Sequence, residues 1–103
     1  MSRKRLDVTI RKSQILDAAM VLAEEFGYTN ISREAIAGAA DCSVGLVSLH
    51  FGTMPSVKRA IVSAAINREN LVIIAQAMVD RHPKVNNAPD ELKRRALAFI
   101  LGE

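Results

Sequence analysis

Residues 32–51 read SREAIAGAADCSVGLVSLHF, and this stretch decides the fold. Ser32 is a favourable N-cap, and helix-compatible residues follow from Arg33 to Ala40. Asp41 and Cys42 interrupt, and Ser43 is placed to cap a second helix that runs to about Phe51. Ile36 and Ala37 on the first helix, with Val47 and Phe51 on the second, can share one small core. Helices this short do not persist alone in water. The pair therefore needs a third helix behind it, and residues 10–26 supply one.

Working outward, the supporting helix is expected from about Thr9 to Phe26. Ile15, Ala19, Leu22 and Phe26 recur at helical spacing, with Leu16 and Ala23 widening the stripe. Gly27 suits a left-handed stop, and Tyr28–Ile31 forms the loop into the second helix. Beyond Phe51, Gly52-Thr53-Met54-Pro55 marks a break, with Thr53 as a plausible N-cap and Pro55 tolerated in a first turn. A fourth helix is expected from Pro55 to near Arg68, with a kink or break at Asn67–Asn70. Leu71–Val79 is apolar on nearly every side and must be buried. In so short a chain, pairing with a second subunit is the simplest cover. His82-Pro83 to Ala88-Pro89 reads as a loop. Asp90 can cap a last helix, Glu91–Leu101, with Leu92, Ala96, Phe99 and Ile100 facing one way.

Composition agrees with packed helices. Half of the 103 residues are apolar, only 4% are aromatic, and no alternating strand pattern stands out. The basic start lacks an apolar core after it, so no signal peptide is expected. The longest apolar run falls well short of the roughly 20 residues of a membrane span. A cytoplasmic location follows as an expectation. Cys42 is a lone cysteine, which rules out an internal disulfide and suits a small packing residue in the turn. His50 and His82 have no ligand partners at suitable spacing, so no metal or other cofactor is expected. No paired carboxylates, Ser-His-Asp set or phosphate-cradling glycine loop points to an enzyme.

Charge placement is more informative than the net +3. Residues 1–12 hold five basic side chains against one acidic one, whereas the remaining residues hold nine against ten. The positive excess sits in an N-terminal arm. Such an arm suits phosphate contact or a reach into a minor groove, and the plainer reading is a solubilising tail.

Ile15-Leu16 with Ala18-Ala19, then Phe26-Gly27-Tyr28, Ile36-Ala37 and Ser43-x-Gly45-x-Val47-x-x-His50-Phe51 resemble, in order and spacing, the DNA-binding domain of TetR-type transcriptional repressors. The likeness covers roughly residues 11–60. It implies an all-α fold: a three-helix helix-turn-helix domain followed by two or three further helices that form a dimerisation region. The expected organisation is a basic arm at 1–10, the helix-turn-helix domain at 11–54 and the helical dimerisation region at 55–103. The implied partners are double-stranded DNA and a second copy of the chain, with no membrane. Members typically continue for another hundred or so residues, which build a ligand pocket. Here no small-molecule effector of the usual family size is expected, whether the chain is a short regulator or a piece of a longer one.

The DNA-binding candidates are Arg3, Lys4 and Arg5 in the arm and Ser32 and Arg33 at the second helix. They continue with Ser43, Val44, Leu46, Ser48 and His50 on the reading helix, then Thr53 and Lys58 at the fourth. The reading helix lacks Arg, Lys, Asn and Gln, the side chains that read guanine and adenine by paired hydrogen bonds. Methyl contacts to thymine from Val44 or Leu46, and hydroxyl bonds from Ser43 or Ser48, remain. The family usually has glycine at Asp41, tyrosine at Ser48 and lysine at Met54, and the last two typically bind phosphate. His50 matches a family histidine near the backbone, although a local hydrogen-bonding role is also open. Lys58 and Arg59 suit phosphate support or a solvated face equally. The leading expectation is a dimeric repressor on a palindromic operator. The alternative is a protein-interaction module on the same fold, binding a polymerase or another regulator with weak or no DNA binding.

Overall fold

The computed structural model describes the backbone of residues 2–102 and the side chains of residues 8–102. Six α-helices follow one another: α1 (Ser2–Phe26), α2 (Arg33–Ala40), α3 (Val44–Phe51), α4 (Met54–Asn67), α5 (Leu71–Val79) and α6 (Asp90–Ile100). A 3₁₀ turn, Pro83–Asn87, lies between α5 and α6. Among the described residues there is no strand, and no helix is long and apolar enough to cross a membrane.

The local rules that set α2 and α3 are visible at their ends. The Ser32 hydroxyl accepts from the Ala35 N–H and the Ser43 hydroxyl from the Leu46 N–H, both at 3.1 Å. Each satisfies one of the orphan donors of a first turn. Asp41 takes a left-handed conformation (φ 56°), which lets the Cys42 N–H reach back to the Ala37 carbonyl at 3.0 Å. The same wrap-around bond closes α4 and α5: Asn70 N–H to Ala65 O, and His82 N–H to Ala77 O. Glu69 (φ 53°) and Arg81 (φ 58°) occupy the left-handed position in those stops. Glycine is the usual residue there, so three helix ends carry local strain that glycine would not.

One core joins all the helices. Ile15, Ala19 and Ala23 of α1, Ile36 of α2, Val47 of α3 and Ile61 of α4 close the helix-turn-helix interior. Ile73 and Ile74 of α5 and Leu92 and Ala96 of α6 continue the same cluster. Alpha-4 is the common wall: it packs against α1 and α3 at one end of the core and against α5 and the 3₁₀ turn at the other.

Several expectations need correction. The first helix begins at Ser2, so most of the expected arm is continuous with α1 rather than separate from it. Phe26 stands 55% exposed, because the chain turns at Gly27 before the stripe can bury it. The segment after His82 is a 3₁₀ turn rather than a plain loop, capped by His82 Nδ1 accepting from the Lys84 N–H at 3.1 Å. The last helix starts at Asp90 with Pro89, not Asp90, in the capping position. Phe99 and Ile100 do not join Leu92 and Ala96 inside; they are 51% and 43% exposed. Finally, α5 does not need a second subunit to cover it, since Ile73, Ile74, Ala75 and Ala77 are buried within the chain. A Leu- or Ile-sized side chain so buried contributes about 1.5–3 kcal/mol, which is why α1, α4 and α6 close around this segment.

Tyr28, 1% exposed, is held from α5 by two groups. Its N–H donates to Gln76 Oε1 at 3.0 Å, and its hydroxyl donates to Asp80 Oδ2 at 2.6 Å. Gln76 Nε2 also donates to the Ala23 carbonyl at 2.9 Å. One amide thus serves a donor and an acceptor of the α1–α2 connection. Burial, reinforced by Asp80, pushes the Tyr28 hydroxyl pKa upward, so it remains a proton donor.

Two stability tests follow. Gln76→Ala leaves the Tyr28 N–H without its partner and removes one of two bonds to the Ala23 carbonyl, which keeps the Gly27 N–H, at a cost of about 1–3 kcal/mol, read as a lowered denaturation midpoint at unchanged slope. Arg81→Gly relieves a left-handed non-glycine and is expected to raise stability by roughly 0.5–1 kcal/mol, measured by thermal melting.

Candidate nucleic-acid interface

Alpha-3 is fixed in rotation by Val47, which is fully buried. At 100° per residue, burying Val47 turns Gly45 and Leu49 outward and sets Leu46 and Ser48 on the two flanks. The observed exposures follow that geometry. Gly45 is exposed, Leu49 is 77% exposed, and Leu46 and Ser48 are half-buried. Val44 and Leu46 pack partly against the core. The outermost group on the helix is therefore Leu49, which sequence reasoning left out of the candidate set. The signal was present, since Leu49 follows from Val47 by helical phase.

A side chain at Gly45 would meet nothing nearer than the Ser43 hydroxyl at 3.9 Å. Packing against α2 therefore does not require glycine here. The open space belongs to whatever approaches α3 from outside.

Around this ridge the structure gathers some candidates and leaves others apart. Arg33 Nη1 donates to the Ser48 hydroxyl at 3.1 Å, tying α2 to the flank of α3. Ser32 and Ser43 are exposed, but each hydroxyl already accepts its own capping bond. His50 is half-buried, its ring edge-on to Phe51 at 6.5 Å. Lys12 Nζ lies over the same Phe51 ring at 5.5 Å. That contact brings a cation from α1 to the C-terminal end of α3, where a helix dipole also favours positive charge. Asp41, exposed in the turn, is the opposing charge at the other end of the pair.

At the start of α4, Thr53 is the N-cap residue but makes no side-chain capping bond. Its hydroxyl donates to Ser56 Oγ at 3.3 Å, and Arg59 Nη2 donates to the same oxygen at 2.9 Å. Lys58 is half-buried one turn further on. The side chains of Arg3, Lys4 and Arg5 lie outside the described residues. Among the described residues no group of His, Cys, Asp and Glu could hold a metal ion.

An exposed helix ridge that is small and apolar, flanked by a hydroxyl paired to an arginine and backed by a fully packed core, is the form of a groove-reading helix. The core beneath it, between Ile15, Ala19, Ile36, Val47 and Ile61, leaves no space for a water molecule, so the ridge is carried rigidly. Neither curated proteins nor solved structures give a match to this chain. Residues 15–65, which run from the middle of α1 nearly to the end of α4, match the family model described as bacterial regulatory proteins, tetR family. The chain therefore belongs to the TetR family, and α1 to α4 carry its N-terminal DNA-binding helix-turn-helix domain.

Proposed function

We propose that the protein is a dimeric transcriptional repressor that reads a palindromic operator with two copies of α3, working on the nucleoid in the cytoplasm. The observation that carries this reading is the outward ridge of Gly45 and Leu49 above a sealed core. Lacking Arg, Lys, Asn and Gln, α3 reads chiefly by shape and by methyl contact, with Leu49 meeting thymine methyl groups and Leu46 and Ser48 at the edges. Affinity comes from phosphates. Arg33, Lys12, Lys58, the arm residues Arg3, Lys4 and Arg5, and the first turn of α4 with Thr53 supply the contacts; Ser32, Ser43, Val44 and His50 complete the surface. Residues 55–103 hold the two readers apart, and residues 11–54 read.

The pairing surface suggested by the fold is the outer end of α5 and α6. Val79 is 73% exposed and Leu101 63%, and Leu97, Phe99 and Ile100 extend the same apolar region. Val72, Val79, Phe99 and Ile100, with Tyr28 at its base, line an open groove of about 570 Å³ beside it. Apolar surface concentrated at one end of a small protein is characteristic of a contact surface. Because α5 is already buried within each chain, the dimer is a union of folded subunits.

The apolar α3 also favours a second reading, in which Leu49 docks on a protein and DNA contact is weak. Selection of bound duplexes from a random pool separates the two. The repressor reading expects two inverted half-sites with centres about 34 Å apart; a pool with no enriched sequence at low salt would rule it out. Leu49→Ala is expected to leave the melting temperature unchanged and to cost about fivefold in affinity for the selected site, ~1 kcal/mol of lost methyl burial. In sedimentation velocity the wild-type chain is expected to run as a dimer and Phe99→Asp as a folded monomer. Monomers for both would remove the pairing surface from the account.

A further inference from the structure

The 3₁₀ turn lies outside the family-matched segment, yet it packs on α4 just after the reading helix. Between them is an open cleft of about 440 Å³, whose polar lining is Lys58 and Arg59 from α4 and His82, Lys84 and Asn87 from the turn. No acidic residue lines it. Pro55, at its edge, is four residues past Phe51, the last residue of α3. The cleft therefore adjoins the end of the proposed reader.

Arg59 is held by its side chain, and Lys84 sits on a fixed backbone position. Arg59 is anchored to Ser56 Oγ at 2.9 Å. Lys84 is half-buried, and its backbone N–H is fixed at 3.1 Å by His82 Nδ1. That acceptor requires a ring unprotonated at Nδ1. Burial lowers the His82 pKa, and Arg59, Lys84 and Lys58 push it the same way against the pull of Asp80. Asp80 itself is occupied, with Oδ2 accepting the Tyr28 hydroxyl at 2.6 Å. Three cations with no acid among them repel one another, and an anion between them relieves that repulsion.

We propose that this cleft binds a phosphate of the duplex backbone, with Lys84 and Asn87 joining Lys58 and Arg59. The inference rests on the DNA-binding reading above and places an anchor on an element that the family domain does not include. It also accounts for how the chain grips a backbone with serine at position 48 and methionine at position 54, where the family usually has phosphate-binding groups. Phosphates flank any groove-seated helix, one charge per ~1.7 Å of duplex, so a basic cleft directly after that helix is suitably placed.

The test is the salt dependence of binding of the full chain to a random-sequence duplex, followed by fluorescence anisotropy. Lys84→Ala is expected to flatten the slope of log K against log salt by ~0.9, which narrows the affinity ratio between about 50 and about 200 mM salt by roughly threefold. Lys58→Ala with Lys84→Ala should flatten the slope at least as much, Lys84→Arg should restore it, and Arg94→Ala, at an exposed position of α6, should leave it unchanged. A wild-type slope in Lys84→Ala, with normal melting, overturns the cleft while leaving DNA binding by α3 intact. Absence of any salt-dependent binding by the wild-type chain overturns both. A matched-ionic-strength arm with inorganic phosphate separates the two sources of the anion. Loss of duplex binding there beyond the effect of ionic strength, in the wild type but not in Lys84→Ala, would place the duplex phosphate in this cleft; phosphate binding that depends on Lys84, with equal duplex slopes in the two proteins, would show a small-anion site and sink the assignment to duplex DNA.

Discussion

The structure depends on one buried attachment: Tyr28, at the hinge between α1 and α2, is fastened to α5. Gln76 takes its N–H and Asp80 its hydroxyl, and the same Gln76 adds a second bond to the Ala23 carbonyl in the last turn of α1. Buried polar groups are costly unless paired. The connection that sets the angle between α1 and α2 is therefore completed by residues beyond the family-matched segment. Three short or medium helices and a tight turn would otherwise have only the small core around Ile36, Val47 and Ile61 to hold them.

That attachment has a functional side. A reading helix of eight residues has almost no intrinsic stability, and its rotation is set chiefly by the burial of Val47. Rigidity must come from behind, through α1 and α4, and those two are themselves held by α5. Ion pairs add little: Arg68 with Asp17 and Arg95 with Glu69 are close at 2.8 Å but partly exposed, a setting worth ~1 kcal/mol or less. They fix register between helices more than they stabilise them. The chemistry is then divided. In the proposed function an apolar ridge supplies shape and methyl contact, while cations on neighbouring elements supply attraction.

Much of this was legible in the sequence because it is local. Ser32 and Ser43 announced the starts of α2 and α3, Gly27 the end of α1, and the apolar run from Leu71 the whole of α5. What was not legible depended on tertiary partners. Nothing in the pattern says that α5 is covered by its own chain rather than by another, since both would show the same apolar residues. Helix stops at Asp41, Glu69 and Arg81 lack the glycine that usually marks them, so Asn67–Asn70 read only as a possible kink. Pro83 read as part of a loop although it opens a 3₁₀ turn. On α3, Leu49 was given no role, and the burial of Val47 shows that it must face out. Lys84 gave no sign of its place, because its neighbours Lys58 and Arg59 are some 25 residues away in the chain.

The claim that α5 locks the helix-turn-helix into one cooperative unit is tested most directly by native-state hydrogen exchange. The Tyr28 amide, the core amides of α2 and α4 and those of α5 should exchange with one common opening free energy equal to that of global unfolding. If Tyr28 and α2 instead exchange through a lower-energy opening while α5 and α6 remain protected, the two parts fold separately and the attachment is not what holds the reading helix.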